Sequence, residues 1–246
     1  GETTLEDFEK EFGIKVNLVT FEDEYGVLDE DTNLSEYDLI IISDDLVGDM
    51  IKLDLLEPIK KRNIPNLKYV DEKCVKENSE KYVVPYFFGT TGMAFNIKYI
   101  SEDTDSWDIL WNIEYSGKIG ILNNPSEVIG MAARYVGLPL VPQTESQLRK
   151  VKQFLLRQKP LIENYKSEMT IFEELVSEEL WAAHIYGGTA RAAAEENENI
   201  KYILPKEGGA KWVDNFAIVK DSKNKYAAEV FINYILDLEV NKDITE

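Results

Sequence analysis

Apolar positions along the chain fall into short runs and helical stripes that take turns. Leu5, Phe8 and Phe12 recur at helical spacing after Thr4, and Gly13 stands where such a helix would stop. The next stretch, IKVNLVTF over residues 14–21, alternates apolar and polar side chains and predicts a strand. YDLIIIS, residues 37–43, is a nearly continuous apolar run of the kind found in strands buried on both faces, and LVGDMIKLDLLEPI after it has a helical pattern. Ser43, Asp44 and Asp45 therefore fall at the carboxyl end of a strand, the edge where open α/β sheets collect ligands.

The same alternation continues. YVVPYFFGTTGMAFN, residues 82–96, predicts a strand with a Gly-Thr-Thr-Gly turn, and GKIGIL, residues 117–122, a second short strand. SEVIGMAARYVGL predicts a helix capped by Ser126, with Val128, Met131, Ala132 and Tyr135 on one face and Gly137 as its stop. Thr144 and Gln147 have the spacing of a capping box ahead of a helix carrying Leu148, Val151, Phe154 and Leu155. ELWAAHIYGG, residues 179–188, reads as a strand into a glycine turn, IKYILP, residues 200–205, as another strand, and Tyr226 to Leu238 as an apolar-striped helix. WVDNFAIVK, residues 212–220, sets Trp212 and Asp214 at positions i and i+2 on the way into a strand, so ring and carboxylate face one surface, an arrangement suited to a cation. No internal repeat, low-complexity tract or long linker interrupts the pattern. The class is α/β.

Composition narrows the function. With 246 residues, 44% of them hydrophobic and 11% aromatic, the chain can bury a core as one large domain or two small lobes. Its net charge of −19, from 46 acidic and 27 basic side chains, argues against a nucleic-acid partner and favours the approach of cations, although a solubilising surface gives the same balance. Cys74 is the single cysteine, so no internal disulfide or multi-cysteine metal site forms. No apolar run approaches the ~18 residues of a membrane span. Residues 1–20 have neither the basic start nor the apolar core of a signal peptide, which leaves a cytosolic chain or one whose leader has been removed. The lone histidine, His184, has no nucleophile signature beside it. GTTG, residues 89–92, and GGTAR, residues 187–191, match neither a P-loop nor a dinucleotide fingerprint and read as turns. Asp44 and Asp45 read as acids that complement a helix start rather than as a Mg²⁺ pair. Catalytic, metal and cofactor sites are therefore not expected.

Taken in order, EFGIKV (11–16), YDLIIIS (37–43), VPYFFGTTGMAFN (84–96), SWDILWNIEYSGKIGIL (106–122), SEVIGMAARYVGL (126–138) and PKEGGAKWVDNFAIVK (205–220) resemble the spermidine/putrescine-binding proteins of bacterial ABC importers. The resemblance implies a periplasmic-binding-protein fold: two α/β lobes joined by crossing strands, with a ligand cleft between them. Lobe one would comprise residues 1–90 and 216–246 and lobe two residues 91–215, with the family's first strand and C-terminal helices lying outside this chain. It also implies that carboxylates grip the ammonium groups of a polyamine while rings sandwich its methylenes. On that pattern Asp214 takes the principal amine-binding position, Trp212 the aromatic before it, and Glu127 a second acidic position. Tyr186 stands for a family tryptophan, Ser43 matches a polar strand end, Asp45 replaces an aromatic, and Asn124 replaces an aspartate. The implied partners are a polyamine and the membrane permease of an ABC transporter, and the implied location is periplasmic or extracellular, at the membrane. Two other expectations keep the fold and change the role. One is a binding protein for an anion, a metal or a thiamine-like cation, the anion being favoured if Arg191 faces the cleft. The other is a sensory ligand-binding domain.

Overall fold

The computed structural model describes residues 3–20, 33–75 and 77–245. The chain forms two compact units, one built from Gly1–Phe88 with Val213–Glu246 and the other from Gly89–Trp212.

In the first unit, α1 (Thr4–Phe12) forms where the Leu5, Phe8, Phe12 stripe predicts it and ends on Gly13 at φ 66°, whose N–H caps Glu9. Phe8 is fully buried and meets the edge of Phe231, with ring centroids 5.0 Å apart. The predicted strand over 14–21 does not form across residues 14–20, and Phe21 lies outside the described residues. No described strand runs beside it, and Leu18 and Val19 are exposed, so the alternation there has neither a ladder nor a core to satisfy.

β1 (Leu39–Ser43) lies antiparallel to β7 (Ala210–Ile218). Strand alternation divides their side chains between two cores. Ile40, Ile42, Ala217 and Val219 pack with Leu46, Val47 and Met50 of α2 (Asp44–Lys52), whereas Phe216 and Ile218 pack with Ala228, Ile232 and Ile235 of α7 (Lys225–Ile235). β1 is not buried on both faces as its apolar run suggests, because Ile41 remains 40% exposed. α2 also stops earlier than its pattern: Asp54 adopts φ 55°, and Leu56 turns away to bridge Val219. The stripe from Tyr226 to Leu238 is likewise divided, α7 ending at Ile235 and α8 (Leu238–Thr245) starting afresh.

The second unit centres on the later half of β2 (Val83–Asn96), flanked antiparallel by β5 (Ala182–Tyr186) on one edge and β6 (Ile200–Ile203) on the other. β3 (Ile119–Leu122) continues the sheet parallel to β5, and β4 (Tyr165–Lys166) pairs with β3. α3 (Pro125–Tyr135) and the segment Trp107–Trp111 cover one face through Met93, Phe95, Ile119 and Ile121. α5 (Glu168–Val176) and α6 (Gly187–Glu196) cover the other through Ala94, Ala183 and Ile185. α4 (Glu145–Gln158) opens on the Thr144–Gln147 capping box and packs Val151 and Leu155 against α3.

Three local expectations in this unit are corrected. Asn124, not Ser126, caps α3, because Pro125 fits the first helical position and Asn124 Oδ1 accepts the N–H of Glu127. GTTG is no turn: β2 runs straight through it. Gly187 and Gly188 open α6 rather than a loop, so the strand ending at Tyr186 passes directly into a helix. Among the described residues no helix is long and apolar enough to cross a membrane.

Candidate functional site

The residues singled out by sequence divide between the two units. In the first unit the antiparallel register sets Ser43 directly opposite Asp214, and facing residues of such a pair share one side of the sheet. On the same face the register continues through Ile41 with Phe216 and Leu39 with Ile218, and Leu39, Phe216 and Ile218 seat it in the core beneath α7. Asp44 strengthens it from the start of α2: its Oδ1 accepts the backbone N–H of Val213 at 3.3 Å. Asp45 is exposed in the first turn of the same helix. Tyr86, tilted over Phe216 with ring centroids 4.6 Å apart, has its phenol pKa raised first by burial and then by the negative charge of Asp214. Asp214 therefore projects its field along an aromatic surface.

In the second unit the beginning of α3 carries Asn124 and Glu127. The cap fixes the helix end, whose dipole favours an ionised carboxylate in the first turn. Asn124 also turns its Nδ2 to the hydroxyl of Tyr186, 3.3 Å away. Tyr186, at the end of β5, meets the indole of Trp212 edge to face, centroids 5.8 Å apart and planes at 82°. Glu127 is largely enclosed, its side chain 12% exposed, with Oε2 3.9 Å from Nε2 of His184. That distance is too long for a hydrogen bond. His184 is buried, and burial lowers its pKa from 6.5 to about 3, so at neutral pH it brings no positive charge to Glu127. Trp107 meets His184 edge to face, ring centroids 5.7 Å apart. His184 thus belongs to the interior below the site.

Sequence reading missed one residue in the field of Glu127. Tyr202, on β6, donates its hydroxyl to the carbonyl of Thr90 at 3.1 Å and lies 2.9 Å from the Thr90 hydroxyl. Its pKa is raised by burial and further by Glu127, which places it in the field of that carboxylate. Only the IKYILP alternation hinted at it, and nothing local links Tyr202 to a strand a hundred residues earlier. Arg191, in contrast, runs along α6 to Glu195 with its side chain 82% exposed. Thr189 donates to Glu168, whose pKa burial raises. The guanidinium is thus engaged with Glu195 on the exposed helix surface.

Comparison with known proteins identifies the family to which this chain belongs. The family model described as bacterial extracellular solute-binding protein matches residues 35–246. The chain belongs to that family. Members bind solutes and do not catalyse reactions. Spermidine/putrescine-binding periplasmic protein 1 of Haemophilus influenzae is 29% identical over 248 residues, covering 98% of this chain and 69% of the relative. The solved spermidine/putrescine ABC transporter substrate-binding protein PotD of Streptococcus pneumoniae is 27% identical with a TM-score of 0.80, covering 97% of this chain and 75% of that one. The Tp0655 (TpPotD) lipoprotein of Treponema pallidum shares the fold, with a TM-score of 0.87 at 23% identity over 98% of this chain and 78% of its own. The fold of this solute-binding protein is accordingly that of the periplasmic binding proteins.

Proposed function

We propose that this solute-binding protein captures a protonated polyamine, spermidine or putrescine, outside the cytoplasmic membrane and hands it to the permease of an ABC importer. The observation that carries the reading is the cluster in the second unit: the carboxylate Glu127, held at a helix start and given no positive charge by His184, linked through its cap Asn124 to the perpendicular ring pair Tyr186 and Trp212. A carboxylate beside ring faces answers both parts of a polyamine, the ammonium and the polarised methylenes next to it. Asp214 with Ser43 supplies the corresponding acid and hydroxyl of the first unit, while Asn124 holds Tyr186 in place and Asp45 adds negative charge at the α2 start. The names borne by the Haemophilus and Streptococcus relatives support the same ligand class.

The magnitudes are adequate. A charge-assisted hydrogen bond contributes about 1.5–3 kcal/mol and a ring over a cation about 0.5–2. Two carboxylates and two rings together contribute about 4–10 kcal/mol before ordering costs, the scale of the ~8 kcal/mol of micromolar affinity. The net charge of −19 adds long-range attraction for a di- or trication. The engagement of Arg191 with Glu195 weighs against an anionic solute.

Isothermal titration calorimetry of the chain with putrescine and spermidine tests this, with Asp214→Ala and Glu127→Ala as variants and a dicarboxylate as control. Micromolar binding of an amine that weakens in both variants is expected. Unchanged affinity in the variants, or binding of the dicarboxylate in place of the amines, overturns it.

A further inference from the structure

The Gly-Thr-Thr-Gly segment acquires a purpose once it is seen inside a strand. Gly89 lies in the extended backbone of β2 and is not among the glycines with positive φ, so no turn or backbone conformation requires glycine there. Space requires it. A Cβ built on Gly89 would have Cζ2, Cη2 and Cε2 of Trp212 all within 2.9 Å, well inside van der Waals contact. The benzo half of the indole therefore rests directly on the β2 backbone, while Tyr186 meets the same ring edge to face. Gly92, three residues on, does the same for Tyr202, whose Oη and Cζ would stand 2.7 and 2.8 Å from an added Cβ. The two glycines bracket Thr90, the residue that holds the Tyr202 hydroxyl.

We infer that Gly89 is a positioning residue for ligand binding: its missing side chain seats Trp212 flat on β2, and any side chain there tips the indole out of its perpendicular contact with Tyr186. The inference rests on the polyamine reading for its effect on affinity, but the seating of the ring is a property of the ligand-free protein. Gly92 is less suited to a test, because the carbonyl of Ile203 also crowds its Cβ position and a substitution there would disturb the β2–β6 ladder. At Gly89 the three nearest atoms all belong to the indole, so the ring is what a side chain there meets first.

The test uses Gly89→Ala, Trp212→Phe and the double variant, with two readouts. In titrations with putrescine, Gly89→Ala weakens binding about tenfold, the worth of one ring over a cation. The double variant binds no more weakly than Trp212→Phe alone, since phenylalanine ends short of the benzo edge that meets the new methyl. Without ligand, the emission of Trp212, taken as the difference between each protein and its Trp212→Phe counterpart, shifts when Gly89 becomes alanine. Thermal unfolding accompanies both, and any loss of Tm in Gly89→Ala is recovered in the double variant. Wild-type affinity and unshifted emission in Gly89→Ala overturn the inference, as do costs that simply add in the double variant. Should the wild-type protein bind no amine, the polyamine reading fails while the emission shift still decides whether Gly89 seats the ring.

Discussion

The two units present their acids by different means. In the first, Asp214 is aimed by the backbone: the β1–β7 ladder fixes it opposite Ser43, and the residues that hold that register, Leu39, Phe216 and Ile218, lie in the strands themselves. In the second, Glu127 and the rings are aimed by side chains drawn from β2, α3, β5, β6 and β7: a cap from Asn124, a hydroxyl contact to Tyr186, an edge-to-face ring contact and a glycine seat. A ladder tolerates the loss of one side chain because its hydrogen bonds lie in the main chain. A side-chain lattice does not, since each member is held by the next. Substitution at the first unit's acid should therefore leave stability intact, and disturbing the second unit's side-chain lattice should lower it.

The strongest test of that contrast is pH. His184 is buried beneath Glu127, and burial holds its pKa at about 3, far below its ordinary 6.5, so between those values the unfolded protein carries the extra proton. Stability is expected to fall as pH drops from 6.5, by about 1.4 kcal/mol per unit, or roughly 3 kcal/mol at about pH 4.5. Denaturant unfolding at several pH values measures this, and His184→Gln should flatten the slope; an unchanged slope removes His184 as the cause. Next in size, Asp214→Asn is expected to weaken putrescine binding tenfold or more, about 1.5–3 kcal/mol, while Tm stays within the error of a surface substitution. A large fall in Tm would show that the ladder does not carry its own register. Asn124→Ala, in the side-chain lattice, removes a helix cap worth about 1 kcal/mol and releases Tyr186, so stability and affinity should drop together in thermal unfolding and titration. Smallest of all, Ser43→Ala should change stability by less than about 0.5 kcal/mol and affinity by no more than a few fold. A larger loss of stability in Ser43→Ala than in Asn124→Ala would reverse the comparison.

Much of this molecule can be read from local pattern. α1 with its Gly13 stop, the Thr144–Gln147 capping box, β3 and the strand carrying Trp212 and Asp214 all follow from spacing and end signals that act within a few residues. The errors share a different origin. Residues 14–20 alternate like a strand, but alternation makes a strand only beside a partner, and no described strand supplies one. Ser126 looks like a cap until Pro125 claims the first helical position one residue earlier. GTTG and the Gly187–Gly188 pair look like turns because glycine in isolation signals freedom, whereas here it signals crowding or a helix start.

The sequence by itself determined the α/β class, most of the elements and the pairing of Trp212 with Asp214 on one strand face, because those depend on periodicities that a strand or helix imposes on its own residues. Tertiary structure alone decided that Tyr202 stands in the field of Glu127, that His184 lies neutral beneath it, and that Gly89 exists to receive an indole from another strand. Each of these is a contact between residues far apart in the chain, and close packing of side chains, unlike local periodicity, leaves no mark on either segment taken alone.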